Sequence, residues 1–302
     1  MQDLKIKCVA DSKCMLGEGP VWDEINQDLY WVDILGNKIF RYDLSSKTVD
    51  WWETPEHVGF IVLKKGGGLI AGLRTGLHQL ELQSNNKVSG RRIDRVDENT
   101  DHIRFNDGIC DSRGRIWGCT MDMNQEAPLV KYYKYNGELS RTEVDKGYVV
   151  ANGPALSPDG NYLYTVETVG GAALNKGIYI SELKDGATVK GKQLFINWNK
   201  HSKSTFPDGI ISDAEGNLWI GEFGGNVLRC FSSHGVLKQE VELPAWNVTK
   251  AVFGGKNRDI LYATTARYGA SEDILEKYPE TGGTYEINGI GVQGQRSACF
   301  GP

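Results

Sequence analysis

Four short phrases place an oxygen-bearing side chain at a glycine turn: Glu18 in "GEGP", Asn106 in "FNDG", Asn152 in "ANGP" and Asp208 in "FPDG". Each precedes an aromatic residue by a nearly constant interval. Glu18 lies 12 residues before Tyr30, Asn106 11 before Trp117, Asn152 12 before Tyr164 and Asp208 11 before Trp219. One Asn-Asp-Gly or Pro-Asp-Gly alone predicts only a turn. Four in one phase, two carboxylates and two amides, predict equivalent positions in repeated units. Arranged around an axis, these oxygens would converge as hard donors with almost no nitrogen or sulfur. Such a set suits one divalent cation, with calcium leading over magnesium and manganese, and with zinc or ferrous iron accepted where few protein ligands leave the site open. Arg104 alternates with Asn106, so both point to one side of an extended segment. Its five fixed donors suit hydroxyl and ring oxygens.

The elements that must hold these residues are hairpins. A strand-turn-strand phrase recurs six times, in "GPVWDEINQDLYWVDI", "VLKKGGGLIAGLR", "GICDSRGRIWGCTMD", "PALSPDGNYLYTVET", "GIISDAEGNLWIGEF" and "AVFGGKNRDILYATTA". The turns carry Asp, Asn, Gly or Pro, and the strands alternate apolar and small residues. Taking Tyr30, Ile70, Trp117, Tyr164, Trp219 and Tyr262 as equivalent, the intervals are 40, 47, 47, 55 and 43 residues, each about the length of one four-stranded blade. No long helical periodicity interrupts them. The sequence therefore predicts an all-β, six-bladed β-propeller in a single domain over 1–302. "LKIKCVA" near the N-terminus alternates Leu4, Ile6 and Cys8 and is expected to pair with "GGTYEINGIGV", closing the ring and covering an edge.

Composition narrows the function classes. The 302 residues, 40% of them hydrophobic, are enough for a sizeable core. A net charge of -5 leaves no basic footprint for nucleic acid, and no polybasic run suggests a membrane surface. Neither partner is expected. "MQDLKIKCVADSKC" lacks the apolar core of a secretory signal, so the expected location is cytoplasmic. The six cysteines contain no C-x-x-C pair and are expected to be reduced thiols.

The phrases "GEGPVWD", "RFNDG", "GCTMD", "ANGPALSPDG", "FPDGIISDAEGNLW", "VFGG" and "GIGVQG", in this order over nearly the whole chain, resemble the senescence marker protein, regucalcin and gluconolactonase family. That resemblance implies a six-bladed propeller with one axial divalent metal and hydrolysis of sugar lactones. It implies metal ligation by Glu18, Asn152 and Asp208, substrate contacts by Arg104 and Asn106, and Asp208 as general base. Where many members carry a substrate-touching glutamate, "TMDMNQE" aligns Asn124, with Asp122 and Glu126 nearby; Asp122 and Asn124 are taken as substrate-side candidates. "TMD" is closer to bacterial aldonolactonases than to the animal proteins.

The chemistry follows from the groups themselves. A metal-bound lactone carbonyl is polarised, and charge on its oxygen is stabilised as water attacks. Asp208 would accept the water proton, with metal-bound hydroxide as the competing nucleophile. The expected substrates are aldonolactones such as glucono-, galactono-, xylono- or arabinolactone, opened to the acid by a monomer or weak homo-oligomer. Two other classes share this pattern. One is a calcium-dependent phosphotriesterase or esterase, which would call for apolar walls; Met121 and Met123 would supply them by turning inward. The other is a non-enzymatic calcium-binding propeller, since fold alone does not assign function.

Other residues carry less. The five histidines keep no ligand spacing with one another and read as structural or surface groups, His102 being the least remote from the site. "DENTDH" lacks the glycine and terminal glutamate of an EF-hand loop. "NVT" at Asn247 is expected to stay unglycosylated, and Trp51 and Trp52 are expected to pack within a blade.

Overall fold

The computed structural model describes residues 3–96 and 101–301; part of the "DENTDH" stretch lies outside them. It consists of six four-stranded antiparallel sheets set around one axis as a six-bladed propeller. Blade I opens with Gly17–Asp23 and Asp28–Asp33, blade II with Val58–Leu63 and Leu69–Leu73, and blade III with Ile103–Cys110 and Ile116–Asp122. Blade IV opens with Ala151–Leu156 and Tyr162–Glu167, and blade V with Phe206–Ser212 and Leu218–Phe223. Blade VI runs Val248–Gly254, Ile260–Thr265 and Thr284–Asn288, and takes its outer strand, Lys5–Ala10, from the other end of the chain. Lys5 pairs with Asn288 and Cys8 with Tyr285, so the ring closes as the alternation of "LKIKCVA" predicts.

The hairpin phrase has a hydrogen-bonded cause. In blade III the Asp111 carboxylate accepts from the backbone N–H groups of Arg113 and Arg115, both at 3.0 Å, and from Trp117 Nε1 at 2.7 Å. In blade V Asp213 accepts from Glu215 N, Asn217 N and Trp219 Nε1. One side chain thus shapes the turn and fixes the indole of the next strand, which is why Asp and Trp recur six residues apart in both repeats.

All six first strands carry a register shift at the same height: between Glu18 and Val21, Val58 and Phe60, Phe105 and Asp107, Asn152 and Ala155, Pro207 and Ile210, and Val248 and Ala251. A bulge bends its strand and re-aims a side chain that regular pleating would send elsewhere. At Gly209 an added Cβ would lie 2.5 Å from Lys250 Cγ, so glycine there admits the neighbouring strand's side chain. Gly153 adopts φ +82, a conformation that favours glycine.

The ends of the axis differ. Residues 289–301 cross the face that carries the hairpin turns and touch every blade: Ser297 N donates to Glu24 Oε1, Phe300 N to Leu63 O, Gly301 N to Gly114 O, Gln295 Nε2 to Leu156 O, Ala214 N to Gln293 O, and Gly294 N to Arg258 O. Asn247 is fully buried and bonded to Gly224, Ala266 and Tyr268, which leaves its sequon no room for a glycan. The six cysteines are free. Trp51 departs from expectation. It lies on the outer strand Thr48–Glu53, where alternate side chains face solvent, and is 36% exposed beneath Lys38 Nζ, 4.8 Å from its ring centre. Trp52 packs toward blade II and donates its indole N–H to Gln83 O at 2.9 Å.

Candidate active site

Opposite the tail, Glu18, Arg104, Asn106, Asn152 and Asp208 line one cavity of about 430 Å³. They come from the first strands of blades I, III, IV and V, and four of the five lie where those strands bulge. The phase that the sequence shows is therefore a shared place in space. Asp122 and Asn124 are not among the lining residues; their neighbours Met121, Met123 and Gln125 are.

Arg104 is buried and donates from one terminal nitrogen to Phe105 O and Asn106 Oδ1, both at 2.8 Å. Asn106 Nδ2 donates to Ala151 O and Asn152 Oδ1, both at 2.9 Å, and Asn152 Nδ2 donates to Thr168 Oγ1 at 2.9 Å. This relay fixes which end of each amide is oxygen. Each amide oxygen keeps a second lone pair for a ligand. Burial lowers the Arg104 pKa to about 10, well above neutrality, so the guanidinium stays charged.

Glu18 and Asp208 are buried with little to neutralise them. Glu18 Oε2 accepts from Gly19 N at 2.8 Å, and Asp208 accepts from Gly209 N. Burial pushes both carboxyls up, and the Asp107 carboxylate raises both further. Asp107, one residue beyond Asn106, is differently served. It takes N–H bonds from Gly108 and Gly153 at 2.7 and 3.0 Å, and Lys250 Nζ at 2.5 Å. Lys250 occupies the same phase in blade VI, 12 residues before Tyr262, and puts a cation where four other blades put an oxygen. That spacing marked the position; the change of sign hid its role.

Three carboxylates face two cations, Arg104 and Lys250, across this axis. Among the described residues, no three His, Cys, Asp or Glu side chains gather as a metal site. A cation here would therefore take amide oxygens beside two carboxylates. That hard, oxygen-only donor set with unneutralised charge fits a divalent ion of the calcium or magnesium kind.

His57 is a cavity residue that the sequence reading treated as structural. It sits one position before the bulge of blade II and lines the cavity, while its Nδ1 is buried without a hydrogen-bond partner. Burial first, then Arg104 and Arg74, push its pKa down, so it is a neutral imidazole at pH 7. His102 instead bonds Asp122: His102 Nδ1 lies 2.9 Å from Asp122 Oδ1, and the same carboxylate accepts from the N–H groups of Asn124, Glu126 and Ala127. Asp122 thus shapes its own loop, and Asn124 is exposed on it. The inward apolar wall of Met121 and Met123 is present.

The SMP-30/Gluconolactonase/LRE-like region pattern matches residues 16–267. Regucalcin of Xenopus laevis is 30% identical over 308 residues, covering 99% of both chains. The 6-deoxy-6-sulfogluconolactonase of Pseudomonas putida is 33% identical over 279 residues, covering 92% of both. Among solved structures, a luciferin-regenerating enzyme superposes with TM-score 0.91 at 25% identity, over 99% of this chain and 100% of that one. A calcium-binding regucalcin from Agrobacterium tumefaciens superposes with TM-score 0.89 at 21% identity, over 98% and 97%.

Proposed function

From the premise that the chain belongs to the SMP-30/gluconolactonase/LRE-like family, we propose that it opens sugar lactones to their aldonic acids at this cavity, with one divalent cation held by Glu18, Asn152 and Asp208. One observation carries the reading: oxygen donors from four different first strands, with a buried arginine, line a single cavity. A lactonase among the relatives and a calcium-binding neighbour of the same fold support it, and make calcium the first ion to try.

When bound by Glu18, Asn152 and Asp208, a divalent cation would supply countercharge for the two carboxylates and Lewis-acid polarisation of the lactone carbonyl. Asp208, then ionised, accepts a proton as water adds to the carbonyl carbon. The new bond joins the water oxygen to that carbon. The ring C–O bond breaks, and the ring oxygen leaves as a hydroxyl by taking the proton that Asp208 accepted. Arg104 has terminal and Nε donors beyond those committed to Phe105 and Asn106, and these hold substrate oxygens. Asn106, fixed between Arg104 and Asn152, keeps the arginine and the metal-side amide in one geometry.

The wall of Met121 and Met123 supports a second reading, hydrolysis of less polar esters or phosphotriesters. Both are tested with one preparation, stripped by chelator and reloaded with calcium, magnesium, manganese or zinc. Acid release is followed on glucono-, galactono-, xylono- and arabinolactone beside an aryl phosphotriester. Metal-restored lactone opening is the expected result. Chelator-sensitive phosphotriester hydrolysis far above every lactone rate would replace the first reading with the second.

A further inference from the structure

The cavity is polar at its floor and apolar around its mouth. Leu16 and Leu35 come from blade I, Met123 from blade III, Val169 from blade IV, Phe223 from blade V and Tyr268 from blade VI. All are partly exposed, Tyr268 at 48%. Among the described residues, polar side chains at this level are few: His57 from blade II, Gln125 and the hydroxyl of Tyr268.

This mouth is held open by buried polar residues that turn away from it. In blade I Asp33 accepts from Met15 N, Leu16 N and Gly36 N at 2.9 to 3.0 Å, fixing the segments that carry Leu16 and Leu35. In blade III Asp122 ties the loop after Met123. In blade IV Glu167 accepts from Val149 N, Val150 N, Val169 N and Gly170 N. In blade VI Asn247 Nδ2 donates to Ala266 O and to Tyr268 O. The acids nearest the rim are thus spent on backbone, and the side chains left facing the cavity are mostly hydrocarbon, thioether and aromatic ring, with His57, Gln125 and the Tyr268 hydroxyl as the polar groups. A rim fixed in place keeps its shape when the cavity fills.

Charge at the rim decides further. Among the described residues, Arg104 is the single Lys or Arg in the lining, and it is committed at the floor. Lys176, whose Nζ lies 4.8 Å from the Phe206 ring centre, donates to Lys203 O and Thr205 O. Arg74, which acts on His57 from outside the lining, donates to Asp101 O, so among the described residues an anionic substituent meets no further cation in the lining, and a hydroxymethyl group finds few partners beyond His57, Gln125 and Tyr268.

Resting on the lactonase reading above, we infer that the substrate is a lactone whose end remote from the carbonyl is apolar. A 6-deoxy aldonolactone ending in methyl fits the chemistry, in preference to a lactone ending in hydroxymethyl or sulfonate. The floor groups read the ring oxygens, and the rim reads the terminal carbon.

The test compares kcat/KM of the metal-loaded protein on lactones matched except at that carbon: galactono-1,4-lactone, its 6-deoxy counterpart of the same configuration and its 6-sulfo counterpart. A hydrophobic pocket discriminates one such group by roughly ten- to hundredfold, and the 6-deoxy lactone is expected to lead by about that factor. Met123→Gln and Tyr268→Gln, checked for folding by circular dichroism, are expected to shrink the preference. Equal or faster opening of the hydroxymethyl or sulfonate lactone would overturn the inference and leave the lactonase reading standing. No opening of any lactone would overturn the lactonase reading, and this inference with it.

Discussion

Two storeys of the axis hold buried carboxylates and treat them differently. In the lower, Asp107 receives two backbone N–H bonds and the Lys250 ammonium at 2.5 Å, both partners almost wholly buried. In the upper, Glu18 and Asp208 each receive one N–H, and their mutual charge raises Asp208 further. Both layers are built by the same bulges. The difference is a counter-ion in direct contact below, and above only the more distant influence of Lys250 and Arg104. A buried carboxylate with a built-in cation is part of the scaffold; one without is poised for a cation from solution.

The sharpest way to break this contrast is to neutralise the upper layer. In Glu18→Gln with Asp208→Asn, stoichiometric metal is expected to be lost and kcat/KM to fall by roughly a thousandfold or more, on the scale of losing a principal electrostatic group. Metal analysis and lactone kinetics check this. Thermal melts add a second readout: the parent is expected to gain stability when calcium is added, while the double variant melts at the same temperature with or without it. Calcium-dependent stabilisation of the double variant would place the cation elsewhere.

The lower layer is expected to answer in stability. Lys250→Met strands a buried carboxylate, and removing one partner of such a pair costs about 3–5 kcal/mol. Adding Asp107→Leu removes the stranded charge and is expected to recover most of that loss in denaturant titrations. Were Lys250→Met as stable as the parent, Asp107 and Lys250 would not form the self-contained pair that the contrast requires.

Arg104 lies between the layers in character, buried and charged but with donors left over. Arg104→Ala is expected to lower kcat/KM by roughly 10- to 1000-fold, or about 1–4 kcal/mol of transition-state stabilisation, with metal content unchanged. Arg104→Lys keeps the charge and loses the planar fork, and is expected to recover only part of the rate. Unchanged kinetics in Arg104→Ala would remove it from the substrate's path.

The fold was legible because each repeat writes its turn into the sequence. Asp111 with Trp117 and Asp213 with Trp219 are hydrogen-bonded units, so their six-residue spacing is a structural fact before any coordinates exist. The upper layer was legible for a related reason, since bulges at one height put residues of one phase on one axis. Lys250 stands at that phase in the sixth unit, but a lysine there does not by itself announce the buried carboxylate it pairs with. His57 had no such signal. One residue before a bulge in a blade without an axial oxygen, its direction depends on the backbone path into the strand, which spacing does not encode. Trp51 faces solvent because side chains alternate along the outer strand: Trp52 turns toward blade II and its neighbour turns away.

Asp122 separates composition from geometry most clearly, and it carries the smallest expected effect. Its place after Met121 suggests substrate contact, yet its carboxylate is taken up by His102 and three backbone N–H groups. Burial raises its pKa, but the bonds from His102, Ala127, Asn124 and Glu126 outweigh that, and the net displacement is downward. A carboxyl with a lowered folded pKa contributes stability that is present above the unfolded pKa of about 3.9 and lost as pH falls through the folded value. Asp122→Asn is therefore expected to be less stable than the parent by about 1–2 kcal/mol near neutrality, on the scale of hydrogen bonds to a charged group. The gap should narrow in acid below about pH 4. Because Asp122 does not line the cavity, kcat/KM should change by less than about threefold, in contrast with Arg104, which lies on the paired strand opposite Met121 but inside the lining. Denaturant titrations at several pH values and kinetics on one preparation measure both. A loss of tenfold or more in kcat/KM with stability and its pH dependence unchanged would return Asp122 to the substrate and make the loop, rather than the floor, the reader of the lactone.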